Sequence, residues 1–492
     1  MKDLKQRTIR GGAAKIFSQG TNFVLRMGTL MILARLLDPK DFGLVGMVTA
    51  MIGVFGVFRD FGLSAAAVQR TTVSQDQAST LFWINVLVGV ILGFVTLAMA
   101  PLIVAFYHEQ RLLGITAVLA TAFVFNAVGV QHTAFLERQM RFTTLSVIDI
   151  FSILVSTTIG IGMATHGFGY WSLVATTTVT PFIYTICVWL TTRWVPGRPR
   201  RRVGILSMMR FGGTLTLNGL VMYVASNFEK VLLGRFWGVD ALGVYGRAYQ
   251  LSNIPTENLN SAVGGVTFAA LSRLQGEPSR LKNYFLKGYT LTLSLTVPIT
   301  FTCALFADDM IHVFLGPKWK SAAIVFRLLA PTTLAFAILN PLGWLLSSLG
   351  LVARGLKIAL VLGPVMIAGY VMGLPYGPTG VAFAYSSVMM LSAIPLIRWA
   401  TSGTVISVRD ILLVISRPLA AGALAAGVVF GLQLLYGPLL PALPRLAAGV
   451  ITFFAVYLGI LFYPMGQKRF YMDTLRGFRR SASEKEEIFA SA

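Results

Sequence analysis

The sequence predicts an all-α polytopic membrane protein of about 14 transmembrane helices: two pseudo-symmetric six-helix lobes in parallel repeat plus two C-terminal accessory helices. Three observations predict it. Over 492 residues the chain is 55% hydrophobic and only 12% charged, with mean hydropathy +0.72, far more apolar than a soluble domain. Apolar runs of about 20 residues recur along the whole length, each able to cross a hydrocarbon core about 30 Å thick. Sliding the chain by 200 residues sets Arg10, Gly12, Val24, Leu33, Arg35, Gly43 and Gly46 on Arg210, Gly212, Val224, Leu233, Arg235, Gly243 and Gly246.

Taken in order, the spans fall near 12–35, 42–65, 79–106, 112–135, 144–165, 169–192, 207–233, 241–269, 284–306, 322–348, 355–373, 379–397, 410–432 and 445–463. The first is a retained span rather than a cleaved signal peptide, because Arg26 and Arg35 interrupt it and no small-residue cleavage site follows. The repeat places spans one and two on spans seven and eight. A weaker echo sets Gly167, Gly169, Tyr170 and Trp171 at span six beside Gly377, Gly380 and Val381 at span twelve. An even number of spans separates the copies, so they share orientation, as the parallel repeats of transporters do. The expected organisation is an N-terminal lobe at 1–192, a basic linker at 193–206, a C-terminal lobe at 207–398, accessory spans within 409–463 and a tail at 464–492.

The net charge of +22 would suggest nucleic acid in a soluble protein. Here its placement argues otherwise. One set of alternate loops holds twenty-eight Lys and Arg residues, six of them in the cluster Arg193, Arg198, Arg200, Arg201, Arg202 and Arg210. The other set holds seven: Arg35, Lys40, Arg111, Arg235, Lys318, Lys320 and Arg445. Cationic loops stay in the cytoplasm, so both termini and the central linker are placed there. The charge thus serves topology and contact with anionic lipid headgroups, with no call on nucleic acid.

Polar groups inside spans are costly in lipid and mark a cavity or a partner. In span one, Ser18, Asn22, Arg26 and Thr29 share a helical face, with Gln19 adjacent. Span seven offers Thr214, Asn218, Ser226 and Glu229. Span eight offers Arg247, Gln250, Glu257 and Ser261, with Pro255 set to bend it. Arg59 and Asp60 in span two form a candidate pair, as do Glu229 and Lys230 or Arg235. Asp149 and Glu257 are the acids expected to reach Arg26 or Arg247. Arg327 and Arg417 are expected to snorkel to the surface, and Asp308 and Asp309 to sit in a solvated loop near 306–321. Cys187 and Cys303 read as small apolar fillers. His108, His132, His166 and His312 are expected in loops or near span ends, and no metal-ligand spacing occurs. There is no phosphate-binding G-x-x-x-x-G-K-[ST] loop and no long predicted outer loop to hold the acids of a membrane-embedded glycosyltransferase or polymerase.

Three stretches carry a resemblance: LARLLDPKDFGLVGMVTAMIGVFGVFRDFGLSAAAVQR from Leu33 to Arg70, FEKVLLGRFWGVDALGVYGRAYQL from Phe228 to Leu251, and GFGYWSLV from Gly167. They resemble the Wzx-type oligosaccharide and polysaccharide flippases of the multidrug/oligosaccharidyl-lipid/polysaccharide exporter superfamily. That resemblance implies two helical bundles around a cationic central cavity, no cofactor, a bacterial inner-membrane location and no enzymatic step. It implies a polyprenyl-diphosphate-linked oligosaccharide moved by alternating access to the periplasmic leaflet for lipopolysaccharide O-antigen, exopolysaccharide or capsule assembly. A diphosphate suits the planar fork of guanidinium, so Arg26, Arg59 and Arg247 are expected to hold it while Gln19, Asn22, Asn218 and Gln250 meet sugar hydroxyls. Asp60, Asp149, Glu229 and Glu257 are the candidates for proton or sodium coupling. A cation-coupled multidrug antiporter of the same fold, which wants cavity acids with few basic neighbours, is the alternative, and an integral-membrane glycosyltransferase a more distant one. The tail from Lys468 to Arg479 mixes cations and aromatics like an interfacial helix, with the polysaccharide polymerase and glycosyltransferases as conceivable contacts; Ser481 to Ala492 is expected to be disordered.

Overall fold

The computed structural model describes residues 2–58, 74–199, 206–436, 440–468 and 471–472; within these, side chains are described from Gln19 onward except at 206–219, 221–222, 257–263, 265–266 and 269. Among the described residues there is no strand. The helices are α1 (Lys2–Leu36), α2 (Pro39–Gly56), α3 (Gln75–Tyr107), α4 (Arg111–Arg138), α5 (Phe142–Thr165), α6 (Trp171–Thr192), α7 (Leu206–Arg273), α8 (Pro278–Leu305), α9 (Ala307–Phe314), α10 (Ala322–Ser348), α11 (Val352–Gly373), α12 (Gly377–Thr401), α13 (Val408–Tyr436) and α14 (Ala442–Phe462). Nine helical stretches among the described residues are long and apolar enough to span a membrane. Hydroxyls along them, such as Thr290 on Leu286 O at 2.8 Å and Ser152 on Ile148 O at 2.7 Å, bond back to their own helix. That is how they are accommodated in an apolar surround.

The chain divides into two compact units. The first comprises Met1–Arg247, Phe314–Ala322 and Ala359–Ala384; the second comprises Ala248–Val313, Ala323–Ile358 and Tyr385–Ala492.

In the first unit α4 packs on α3 and α6, α5 on α6 and α1, and α2 on α4. The start of the basic linker is tied down. Trp83 Nε1 donates to Gly197 O at 2.9 Å, Gly197 N to Ser79 Oγ at 3.0 Å, and Trp194 Nε1 to Gln75 Oε1 at 2.9 Å. His132, expected near a span end, stands in the last two turns of α4 and is fully buried, against Trp189 with ring centroids 4.3 Å apart, its Nδ1 2.6 Å from Thr192 Oγ1. An imidazole with an apolar body fits that aromatic nest.

In the second unit α8 is the centre on which α13 and α14 pack. Lys282 Nζ meets Asp410 at 2.6 Å, and Tyr289 Oη donates to Ile338 O at 3.0 Å. Asp308 and Asp309 are not a solvated loop. They stand on the short helix α9, where Asp308 pairs with Arg327 and buried Asp309 accepts from Arg445 Nε at 3.0 Å. Arg327 therefore has an acid to hold it. Tyr471 of the tail bonds Ser294, and its ring lies tilted against Phe462 with centroids 5.5 Å apart; beyond Lys468, Tyr471 and Met472, the predicted interfacial helix and Ser481 to Ala492 lie outside the described residues.

The 200-residue repeat has a geometric counterpart. A Cβ on Gly43 would come within 1.8 Å of Val239 O, and one on Gly243 within 1.9 Å of Pro39 O. Positions 39 and 239 are repeat mates, as are 43 and 243, so each copy touches the other at the same place. The helix break is shared too. Between α1 and α2 it falls at Asp38, extended at φ −95, ψ 157; within α7 it falls at Gly238, at φ 80, ψ −169. Spans seven and eight are thus two helices that meet at a break at Gly238. The breaks have matching covers: Arg235 Nη1 lies 3.1 Å from His108 Nδ1, and a Cβ on Gly316 would lie 3.5 Å from Arg35. Beside Gly316, Trp319 is fully buried and donates from Nε1 to Ala34 O at 2.8 Å, with Phe42 edge-on at 5.3 Å.

Candidate functional site

A cavity of about 690 Å³ lies inside the first unit, walled by α1, α2, α4, α5 and α6. Its position follows from the packing of α4 against α6 and α1 against α5, which leaves α2 to close the side. Four residues of α4, Asn126, Val130, Thr133 and Glu137, are spaced by four, three and four and so share a face. Thr177, Thr180, Pro181 and Tyr184 do the same on α6. Arg26 enters from α1, Thr49 from α2 and Asp149 from α5. A polar chamber within apolar helices is the feature that lipid-facing packing alone does not produce.

Arg26 and Asp149, 123 positions apart in the chain, line the same chamber. Glu137 is the second carboxylate of the lining. One guanidinium thus stands among two acids, so the excess of cations expected of a binding chamber is not in this one. The threonine hydroxyls are already committed. Thr49 donates to Val45 O at 2.9 Å, Thr177 to Leu173 O at 2.8 Å, Thr185 to Phe125 O at 2.7 Å and Thr180 to Ser156 Oγ and Thr176 O, each at 2.8 Å. Thr133 Oγ1 lies 3.3 Å from Tyr184 Oη and 3.2 Å from Gly129 O.

The other expected residues are dispersed. Gln19 and Gln250 are exposed, and Asn22 is half-buried with Oδ1 enclosed and without a hydrogen-bond partner. Arg247 is half-buried, its guanidinium carbon 4.7 Å over the Phe42 ring and its Nε enclosed without a partner, a cation–π placement rather than an ion pair. Glu229 is fully buried, and neither carboxylate oxygen has a hydrogen-bond partner. The expected pairing with its basic neighbours is not made as a hydrogen bond: Lys230 Nζ donates to Asn227 Oδ1 at 2.7 Å and Arg235 turns to His108. Arg59 and Asp60 lie outside the described residues, as do the side chains of Asn218 and Glu257.

Sequence reasoning missed the α4 and α6 faces. The signal was there, in the helical spacing of Asn126, Thr133 and Glu137 and in the threonine-rich run before Pro181. Threonine runs in apolar helices are ordinary enough to hide it.

The sequence profile described as "Polysaccharide biosynthesis protein" matches residues 32–324. The teichuronic acid biosynthesis protein TuaB of Bacillus subtilis (strain 168) is 29% identical over 304 residues, 59% of this chain and 61% of TuaB. The lipopolysaccharide biosynthesis protein WzxC of Escherichia coli (strain K12) is 25% identical over 401 residues, 80% of each chain. Among solved structures, the lipid II flippase MurJ in an inward closed conformation aligns with TM-score 0.72 at 14% identity, covering 95% of this chain and 100% of that one. At that identity the likeness concerns the fold.

Proposed function

Since the chain belongs to the polysaccharide biosynthesis protein family, we propose that this multi-pass membrane protein is a flippase for polyprenyl-diphosphate-linked oligosaccharides. It moves them from the cytoplasmic to the periplasmic leaflet of the bacterial inner membrane, with both termini in the cytoplasm, and performs no covalent step. The observation that carries this reading is the polar chamber with Arg26 and Asp149 inside membrane-spanning helices. The lobes at 1–192 and 207–398 and the linker at 193–206 belong to the same reading. So do contacts with a polymerase and glycosyltransferases.

Arg26 offers the guanidinium fork that a diphosphate needs, with Arg59 and Arg247 as further cations and Gln19, Asn22, Asn218 and Gln250 as partners for hydroxyls. An inside-negative potential favours outward movement of negative charge by about 2.3 kcal/mol per charge per 100 mV. Among Asp60, Asp149, Glu229 and Glu257, Glu229 is the first to test for ion coupling, because a fully buried carboxylate without a hydrogen bond is costly as an isolated charge. The test is reconstitution into liposomes with a labelled lipid-linked saccharide, scored by its accessibility to a membrane-impermeant reagent. Protein-dependent flipping is expected, weakened by Arg26→Ala. A second reading, a cation-extruding antiporter, draws on the two carboxylates of the chamber; gradient-driven uptake of an organic cation without lipid flipping would establish it instead.

A further inference from the structure

The second unit holds a cavity of its own, far smaller than the chamber of the first. About 10 Å³ in volume, it lies among α7, α8 and α10 and has room for a single water-sized body. Thr333, Ala337, Asn340 and Trp344 follow one another along α10 at spacings of four, three and four, and Thr292 and Thr296 stand one turn apart on α8, so each set shares a helical face. Thr256 comes from α7, directly after Pro255. The Trp344 indole closes on α7 so tightly that a Cβ on Gly264 would come within 2.9 Å of its Nε1.

What this wall offers is oxygen. Thr292 gives its hydroxyl proton to Gly288 O at 3.0 Å, Thr296 to Thr292 O at 2.8 Å and Thr333 to Ser252 O at 3.2 Å. Each is left with lone pairs for a guest. Thr256 is buried, and its Oγ1 has no hydrogen-bond partner. Asn340 brings an amide. Ala337 lacks the regular helical donor to its carbonyl, since Pro341, four residues on, has no N–H.

A water molecule has two protons and so satisfies two acceptors. The four hydroxyls, the amide and the Ala337 carbonyl are more than one water can use, whereas a cation draws on all of them. Among the described residues the wall carries no charged side chain. Divalent ions are held by carboxylates, so the neutral wall suits a single charge, and the small volume suits the smaller of the common monovalent ions. Carbonyls released where a membrane helix departs from regular bonding are ready ligands for sodium.

We infer that this cavity is a sodium site, in which neutral oxygens of α7, α8 and α10 hold one ion and the ion ties the three helices together where Pro255 and Pro341 interrupt their bonding. The site is separate from the carboxylates considered for ion coupling. It is independent of the flippase reading, because the ion binds whether or not anything is transported.

The experiment follows thermal unfolding of the purified full-length protein in detergent, with choline chloride replaced by sodium or potassium chloride at constant ionic strength, and counts bound ²²Na⁺ directly. Sodium is expected to raise the unfolding temperature in a saturable way, with one ion bound per chain and no comparable effect of potassium. Thr256→Val keeps the shape and removes an oxygen that makes no bond within the protein. It is expected to weaken sodium binding by about tenfold and to unfold in choline no lower than the wild type. Thr292→Val, whose hydroxyl bond lies within its own helix, is expected to weaken sodium binding likewise. Equal stabilisation by potassium, or none by sodium, would overturn the inference and leave the cavity to water. Sodium binding that survives both threonine variants but is lost in Asp149→Asn or Glu229→Gln would overturn it in favour of a carboxylate site.

Discussion

Asp38 and Gly238 hold the same place in the two copies of the repeat, and a helix is interrupted at each by different means. Asp38 turns the chain extended, and its backbone N–H donates to Asp41 Oδ2 at 3.1 Å, restarting the helix as a capped α2. Gly238 bends the run through a positive φ that a side chain rarely adopts. Nine residues earlier the copies part company. Thr29 donates to Leu25 O at 2.8 Å and lies 2.8 Å from Thr157 Oγ1, whereas Glu229 is buried with no hydrogen bond. The break is therefore a demand of the shared backbone, which two residue types can meet. The chemistry on the flanking helix is free to differ, and it does.

The covers of the two breaks should separate most strongly. Trp319→Ala empties a fully buried site beside Ala34 and is expected to cost about 3–5 kcal/mol, whereas His108→Ala removes only an exposed contact to Arg235. Thermal unfolding of the two detergent-solubilised variants measures the gap; equal losses would show that the covers are equivalent after all.

The glycines at the crossing test the likeness instead. Gly43→Ala and Gly243→Ala each drive a Cβ against a backbone carbonyl and should lose about 1–3 kcal/mol, or fail to yield monodisperse protein. The two should suffer alike. Gly46→Ala is the control, since its Cβ would stand 3.5 Å from Leu242 and be tolerated.

Position 29/229 tests the divergence. Thr29→Val should cost about 1 kcal/mol by the loss of hydrogen bonds and leave flipping intact. Glu229→Gln should leave the fold as stable as before and remove any dependence of flipping on a proton or sodium gradient. Gradient dependence that survives Glu229→Gln would assign coupling elsewhere.

The smallest effect is one of pH. The Lys318 ammonium, 2.9 Å from Asp38, holds that carboxyl below the usual carboxylate range. Because the folded pKa lies under the unfolded one, the pair stabilises the fold above about pH 4 and loses that contribution as pH falls through the folded value. Lys318→Ala should flatten the melting temperature between about pH 3 and 5. Both groups are half-exposed, so solvent keeps the change slight.

The helices were legible because apolar length and flanking charge are written locally: α10 occupies 322–348, where the hydropathy put it. Legible too were the repeat glycines, whose spacing survives in Gly43 and Gly243. The gap expected between spans seven and eight holds the break at Gly238, although the positive φ itself leaves no mark in hydropathy. The chamber was half seen. Arg26 and Asp149 were suspected of meeting because both are charges in apolar helices, but only the pairing of α1 with α5 brings them to one chamber. Asp309 was misread for the same reason: its partner Arg445 is 136 positions away, and burial by a remote residue is invisible to local pattern.

The reciprocal crossing of Gly43 on Val239 and Gly243 on Pro39 has the form of an isologous dimer interface, in which one patch meets its own copy. Here both patches sit in one polypeptide. In a dimer of identical chains every substitution at such a contact appears twice, once on each side, and an acid buried opposite its twin would bring two charges together. Joining the copies removes that constraint. A single Glu229 can then be carried by one copy while the other keeps a threonine, an asymmetry that a homodimer of identical chains does not allow.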